Sequence, residues 1–282
     1  MILVTGATGN VGREVVSQLV SAGVATRAMT HRPDSADPPI NVDLVRGDLA
    51  NPQSLATALV GVHAVFLVWP LGDADGAPPA IEAIARHARR IVYLSTVAVR
   101  DEPERQTHPL SAMHARIEGL IARAGVEWTV LRASKFAANT RAWAPQIRAS
   151  GTVDLPYAAA ARSPIHQRDI AAVAVRALTE DGHAGATYVL TGPASLTECE
   201  QVRIIGEALG RTLQCREIAP EVARQEMLAE GSSPELADAA LAYWACLVTE
   251  GEPITSTVEE LTGTPARTFL EWAIEHAVDF GG

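Results

Sequence analysis

The apolar run Ile2-Leu3-Val4 feeds directly into glycines at 6, 9 and 12, after which Val11, Val15, Val16, Leu19 and Val20 recur at roughly helical spacing as far as Ala22-Gly23. Glycines between a buried strand and an amphipathic helix mark a nucleotide-binding turn. Without a Cβ the chain can turn sharply, its backbone can approach a pyrophosphate, and the helix can pack closely on the strand with its first N–H groups aimed at phosphate. The spacing G-x-x-G-x-x-G is one residue wider than the dinucleotide fingerprint G-x-G-x-x-G, and Thr5, Thr8 and Asn10 set short polar side chains around it. Gly6, Thr8, Gly9, Asn10, Val11 and Gly12 are the expected phosphate-side contacts.

The alternation continues down the chain. Residues 25–29 and 42–45 fit a second and third strand, the latter ending at Arg46-Gly47-Asp48-Leu49. Asn51-Pro52 opens a helix to Leu59, and 64–69 is an apolar fourth strand stopped by Pro70. A helix over 79–89 precedes a fifth strand at 91–95, and a helix over 110–124 leads to a sixth at 126–131. Strands spaced by helical stretches imply βαβ units, and right-handed crossovers then give an α/β, doubly wound Rossmann-type parallel sheet with its ligand crevice at the carboxyl ends. Beyond Arg132 the pattern loosens: helical over 135–149, a loop through 151–164, and a helix to Leu178 with Asp169 as its expected N-cap. A strand at 187–190 follows, and helices are expected over 197–209, 220–229, 234–248 and 268–277. The predicted organisation is a dinucleotide-binding Rossmann domain over 1–150, its sheet completed by segments from about 165–192, and a smaller, mostly helical C-terminal substrate lobe over 151–282.

Bulk composition removes several classes of function. A chain of 282 residues that is 48% hydrophobic can bury a large core. A net charge of −10 without any polybasic run argues against nucleic acid as a partner. No stretch of eighteen uninterrupted apolar residues exists, and residues 2–4 are too short for a signal peptide, so a cytoplasmic protein without a membrane span is expected. Cys199, Cys215 and Cys246 are odd in number and widely spaced, which predicts reduced thiols rather than a disulfide framework or a zinc site. The eight histidines show no metal-ligand spacing, so no metal is expected.

In NAD-binding folds an acidic residue about twenty positions past the last glycine receives the ribose 2′-OH. Here that neighbourhood is Thr30-His31-Arg32. A carboxylate would repel a 2′-phosphate, whereas Arg32 can pair with it and stack on the adenine, which favours NADP(H) over NAD(H). The nearby Asp34 argues the other way.

The glycine turn resembles that of the short-chain dehydrogenase/reductase superfamily, extended or atypical branch. Taken with Arg32, Arg46-Gly47-Asp48-Leu49, His114-x-x-x-Glu118, Trp128-Thr-Val-Leu-Arg132 and Ile165-His-Gln-Arg-Asp-Ile-Ala171, the chain resembles the NmrA-like family, including its quinone-oxidoreductase-like members, over almost its whole length. The resemblance implies Asp48 and Leu49 on the adenine side, and Val68, Trp69 and Pro70 walling the ribose and nicotinamide. It also implies a substrate or cofactor hydroxyl contact from Ser95 or Thr96 after the fifth strand.

Superfamily members that deliver hydride to carbonyls pair that hydroxyl with a Tyr-x-x-x-Lys on the following helix. It is absent: the four tyrosines are 93, 157, 188 and 243, and Lys135 is the only lysine among 23 Lys and Arg residues. Tyrosinate chemistry depends on the lysine charge, so the ordinary carbonyl-reductase mechanism lacks support. His114 and Glu118 share a helix face, either with His114 as proton donor near neutrality or as a pair packing the crevice wall. Lys135, just past the sixth strand, either holds the nicotinamide ribose, acts as an acid with a pKa lowered by burial, or lies at the surface. Phe136 and Asn139 suit nicotinamide or substrate contacts, or packing. Arg162, His166 and Arg168 suit an anionic substrate, though the resemblance implies that their segment joins the two lobes. Trp143, Tyr157, Tyr243 and Trp244 suit a flat apolar ligand, or core packing.

The expectation is an NADP(H)-dependent oxidoreductase acting through Ser95, His114 or Lys135 on a quinone, enone or similar conjugated small molecule, with a homodimer compatible. Its rivals are a non-catalytic NADP(H)-sensing regulator and a redox-neutral isomerase or cyclase.

Overall fold

The computed structural model describes residues 1–33, 42–102, 106 and 108–282. The chain runs β1 (Ile2–Val4), α1 (Asn10–Ser21), β2 (Thr26–Thr30), β3 (Asp43–Arg46), α2 (Pro52–Ala58), β4 (Ala64–Leu67), α3 (Ala77–Ala85), β5 (Arg90–Thr96), α4 (Pro109–Ala122) and β6 (Glu127–Ala133). A 3-10 helix at Ala137–Trp143 leads to α5 (Ala144–Ser150), β7 (Thr152–Leu155), β8 (Ala161–Arg162), α6 (Gln167–Thr179), β9 (Ala186–Leu190) and β10 (Leu196–Thr197). Then come α7 (Glu198–Ala208), β11 (Gln214–Glu217), α8 (Pro220–Ala229), α9 (Pro234–Leu247), α10 (Thr257–Thr262), α11 (Phe269–Glu275) and a 3-10 turn at Ala277–Phe280.

Seven parallel strands form one sheet in the order β3-β2-β1-β4-β5-β6-β9. The order reverses between β1 and β4, and in such sheets the crevice opens at that switch, outside the carboxyl ends. Side chains alternate across the sheet. Ile2, Val4, Phe66, Val92 and Leu131 face α1 and α6, where they meet Val15, Leu19, Ile170, Val173 and Ala177. Leu3, Val65, Leu67, Ile91 and Tyr93 face α2, α3 and α4, where they meet Leu55, Ile84, Ile117 and Ile121. Burial on both faces explains why these strands read as continuous apolar runs. A third cluster, centred on Trp272, Phe280, Ile147, Val153 and Ile205, joins α5, β7, α7 and α11.

Four local expectations are corrected. The helix predicted over 135–149 is split, because Pro145 lacks an N–H and starts a new helix in the first turn of α5. The predicted loop 151–164 contains β7 and β8, paired with β11 and β10 across more than thirty residues, a partnership invisible to local periodicity. His166, not Asp169, caps α6: its ring nitrogen accepts from the Arg168 N–H, while Asp169 receives the backbone and guanidinium of Arg267. Finally, Cys199 and Cys215 are joined in a disulfide between α7 and β11, contrary to the expectation of reduced thiols. Wide spacing was a poor guide because the α7–β11 connection folds back and sets their Cα atoms 5.4 Å apart. Cys246 is free and exposed.

Candidate active site

The glycine turn is tight. Gly6 has φ +59°, a Cβ on Gly12 would fall 2.2 Å from the Gly6 carbonyl oxygen, and a Cβ on Gly6 would meet Val68 at 3.0 Å. Thr5 fastens the turn to the end of β4, its hydroxyl accepting from the Val68 N–H at 2.7 Å and donating to the Val68 carbonyl at 3.1 Å. Gly9 is the N-cap of α1, no side chain caps that terminus, and no acidic residue lies in its first turn. The first helical N–H groups therefore keep their capacity for an anion, which fits the pyrophosphate of a dinucleotide. Thr8, Gly9 and Asn10 are exposed there, whereas the Val11 side chain is in the core, leaving its N–H as its contribution. Sequence reasoning missed Arg141. Its guanidinium donates to Asn10 Oδ1 at 3.1 Å and to Asp279 Oδ2 at 2.6 Å, placing a cation at the turn from a position 131 residues away.

Flanking positions sit at the carboxyl ends of the neighbouring strands. His31 and Arg32 are exposed just past β2, and the Arg32 N–H bonds Thr30 Oγ1; Asp34 lies outside the described residues. Asp48 follows β3 and accepts from the Ala50 N–H at 2.8 Å, while Leu49 turns into the core and can offer only backbone.

Beyond β4, β5 and β6 a cavity of about 370 Å³ gathers Val68, Trp69, Ser95, Thr96, His114, Lys135, Phe136 and Asn139, with Arg162, Tyr243 and Trp244 from the far side. Pro70 is exposed and outside this lining. Trp69 is held by its indole N–H on the Asp73 carbonyl at 2.7 Å.

His114 is not hydrogen-bonded to Glu118. Its Nδ1 lies 2.6 Å from the Tyr93 hydroxyl, and Tyr93 is wholly buried. Burial raises the phenol pKa and lowers the His114 pKa to about 4, so both are neutral at pH 7. A buried phenol needs an acceptor for its proton, and Nδ1 provides it, which leaves Nε2 as an N–H donor. Tyr93 was overlooked because it lies inside an apolar strand.

Ser95 donates to Glu118 Oε1 at 2.5 Å, and Arg132 grips the same carboxylate at 3.2 and 2.8 Å. The serine proton is thus committed behind the cavity wall, leaving oxygen lone pairs.

Lys135 is buried, not superficial. Its ammonium bonds Glu198 at 2.5 Å and Gln201 at 3.0 Å and lies 4.6 Å from the centre of the Trp143 ring. Burial lowers its pKa against the opposing pull of Glu198. Arg162 faces the other oxygen of Glu198 at 3.1 Å and stacks over Tyr243 and Trp244, and Tyr243 bonds Glu252 at 3.1 Å. His166 and Arg168 instead face Glu275 of α11, away from the cavity. Sequence inspection could not find Glu198 or Glu252, because only the fold brings α7 and the segment after α9 to β6.

A doubly wound sheet with an uncapped glycine turn and a cleft beyond the ends of β4, β5 and β6 is the arrangement of a dinucleotide-binding fold. Residues 6–181 match the family model described as NAD(P)H-binding, and the chain belongs to that family. A (4-alkanoyl-5-oxo-2,5-dihydrofuran-3-yl)methyl phosphate reductase of Streptomyces griseus is 39% identical, over 99% of each chain. An NAD(P)H azoreductase of Xenophilus azovorans is 34% identical, covering 100% of this chain and 99% of the other. An NADPH-dependent quinone oxidoreductase of Escherichia coli in complex with NADPH superposes with a TM-score of 0.83 at 23% identity, over 98% of this chain and 99% of that one. The Streptomyces griseus and Xenophilus azovorans relatives are both named as reductases. Among the described residues no helix is long and apolar enough to cross a membrane.

Proposed function

We propose that the protein is an NADP(H)-dependent reductase of conjugated acceptors, such as quinones, enones or unsaturated lactones. The observation that carries this reading is His114 in the cavity wall, kept neutral by burial and bonded through Nδ1 to the buried Tyr93, which leaves its other ring nitrogen to act as a donor to a ligand and not as an acid. A dinucleotide held over the glycine turn supplies hydride. The His114 Nε2–H donates to the acceptor carbonyl oxygen as charge builds there, and Trp69, Phe136 and Trp244 flank the flat conjugated system. Because His114 stays neutral, the proton that completes reduction comes from water. Acceptors that delocalise the added electron pair into a carbonyl tolerate this; simple ketones, which need stronger acid assistance, do not.

The relatives support the reading, since their names describe reduction of an unsaturated lactone and of an azo bond. For the nucleotide, Arg32 past β2 favours the 2′-phosphate of NADP(H), and Arg141, held on Asp279, sets positive charge beside Asn10 at the turn. Lys135 serves as a positioning residue for the far wall, its ammonium held by Glu198. The test is NADPH oxidation across quinones, enones and simple ketones. Turnover with the first two and little with ketones is expected; turnover with none, despite NADPH binding, would overturn it and favour a nucleotide sensor.

A further inference from the structure

Behind the cavity at the strand ends lies a second one of about 270 Å³. The two share Lys135, Asn139, Arg162 and Trp244 in their walls. The second is an open cleft as large as about nine water molecules, and the pair together fall within the roughly 300–1,000 Å³ typical of small-molecule sites. Its remaining lining is mostly apolar: Ala142, Trp143, Leu155, Pro156 and Ala160. Of the charged side chains on its wall, Lys135 hydrogen-bonds Glu198, whereas Arg162 lies near Glu198 with its buried Nε left without a hydrogen-bond partner among the described residues. Lys135 and Arg162 both face Glu198, and Arg162 lies flat over Tyr243 and Trp244. A ligand there meets mostly ring faces and methyl groups, and an added anion meets the Glu198 carboxylate.

A backbone feature bounds the same chamber. Among the described residues Tyr157 is the one non-glycine residue at positive φ, +52°, and its carbonyl accepts from the Ala160 N–H at 2.8 Å. This left-handed turn directs the chain from Pro156 to Ala160, both in the wall, and such conformations persist where surrounding structure requires them.

We propose that the second chamber is a subsite for an uncharged apolar arm of the acceptor, so that the preferred substrates are conjugated head groups carrying an alkyl or acyl chain. The inference rests on the reductase reading for the placement of the head group, though the chamber's affinity for an arm does not. Each methylene moved from water into such a site tightens binding by up to about fourfold.

The experiment uses 2-alkyl-1,4-benzoquinones from methyl to octyl, read by tryptophan-fluorescence quenching without nucleotide and by kcat/KM with NADPH, on wild type, Ala142→Trp and Leu155→Trp. In the wild type the dissociation constant should fall severalfold per added methylene over the first several carbons and then level off, and both variants should flatten that slope. Affinity independent of chain length, or the same slope in all three proteins, overturns the subsite. A clear slope in binding without NADPH turnover overturns the reductase reading and leaves the subsite standing; turnover without any slope does the reverse. A chain ending in phosphate that binds more tightly than its uncharged counterpart overturns the assignment of an uncharged arm.

Discussion

The two walls of the crevice are built on different principles. The wall proposed for the cofactor is backbone where the phosphates would lie: the glycine turn and the uncapped start of α1 lie within seven residues of Gly6, and shape there is imposed by the absence of Cβ atoms. The acceptor wall is made of side chains. Tyr93 and His114 come from β5 and α4, Lys135 from the end of β6, Glu198 from α7, and Tyr243 from α9. A wall made of backbone tolerates few substitutions and accepts one kind of ligand, whereas a wall of side chains can change its acceptor while the cofactor stays the same. In this chain the second wall has done without Tyr-x-x-x-Lys and holds a neutral histidine instead.

The largest effect should come from Gly12→Ala. Its methyl has no room against the Gly6 carbonyl, so NADPH affinity should drop on the order of a hundredfold in calorimetric titration. A fall of only a few-fold would mean that the backbone wall is more compliant than its geometry suggests. On the other wall His114→Ala should lower kcat by about a hundredfold while leaving the NADPH dissociation constant unchanged. Tyr93→Phe should cost about tenfold, because without the phenol nothing selects the Nε2–H tautomer. Nitrogen NMR of His114 would show that choice directly, and a proton on Nδ1 in the wild type would break the assignment. Of the same order, Arg32→Ala should weaken NADPH by about tenfold and leave NADH unaltered; equal losses for both nucleotides would count against the 2′-phosphate contact.

Acid sharpens the comparison last. Burial lowers the pKa of both His114 and His166 to about 4 from an ordinary 6.5. The folded state therefore binds fewer protons than the unfolded chain, so their contribution to stability is full above pH 6.5 and is lost as pH falls towards 4. Urea unfolding at pH 7.5 and pH 5 should show this loss, and His114→Gln should make it shallower. An identical pH dependence in the variant would place the titration elsewhere.

Different features of the molecule were legible to different degrees. The main strands and the helices α1 to α4 could be placed from apolar runs and helical spacing, because each signal lies within one element. Ser95, His114, Lys135 and Phe136 could be nominated, since each sits at a strand end or on the helix after it, and the structure gathers them around one cavity. Their roles could not. That His114 answers to Tyr93, that Ser95 donates to Glu118, and that Lys135 turns to Glu198 depend on packing between elements. The Cys199–Cys215 bond and the β7–β11 pairing were missed for the same reason.

By itself the sequence determined a parallel doubly wound sheet and a dinucleotide-binding turn, because strand burial, helix periodicity and the need for glycine are local properties of consecutive residues. Only the tertiary structure decided what lies opposite that turn. Hydrogen-bond partners, pKa values and cavity shape arise between residues far apart in the chain, and no short stretch of sequence contains both members of such a pair.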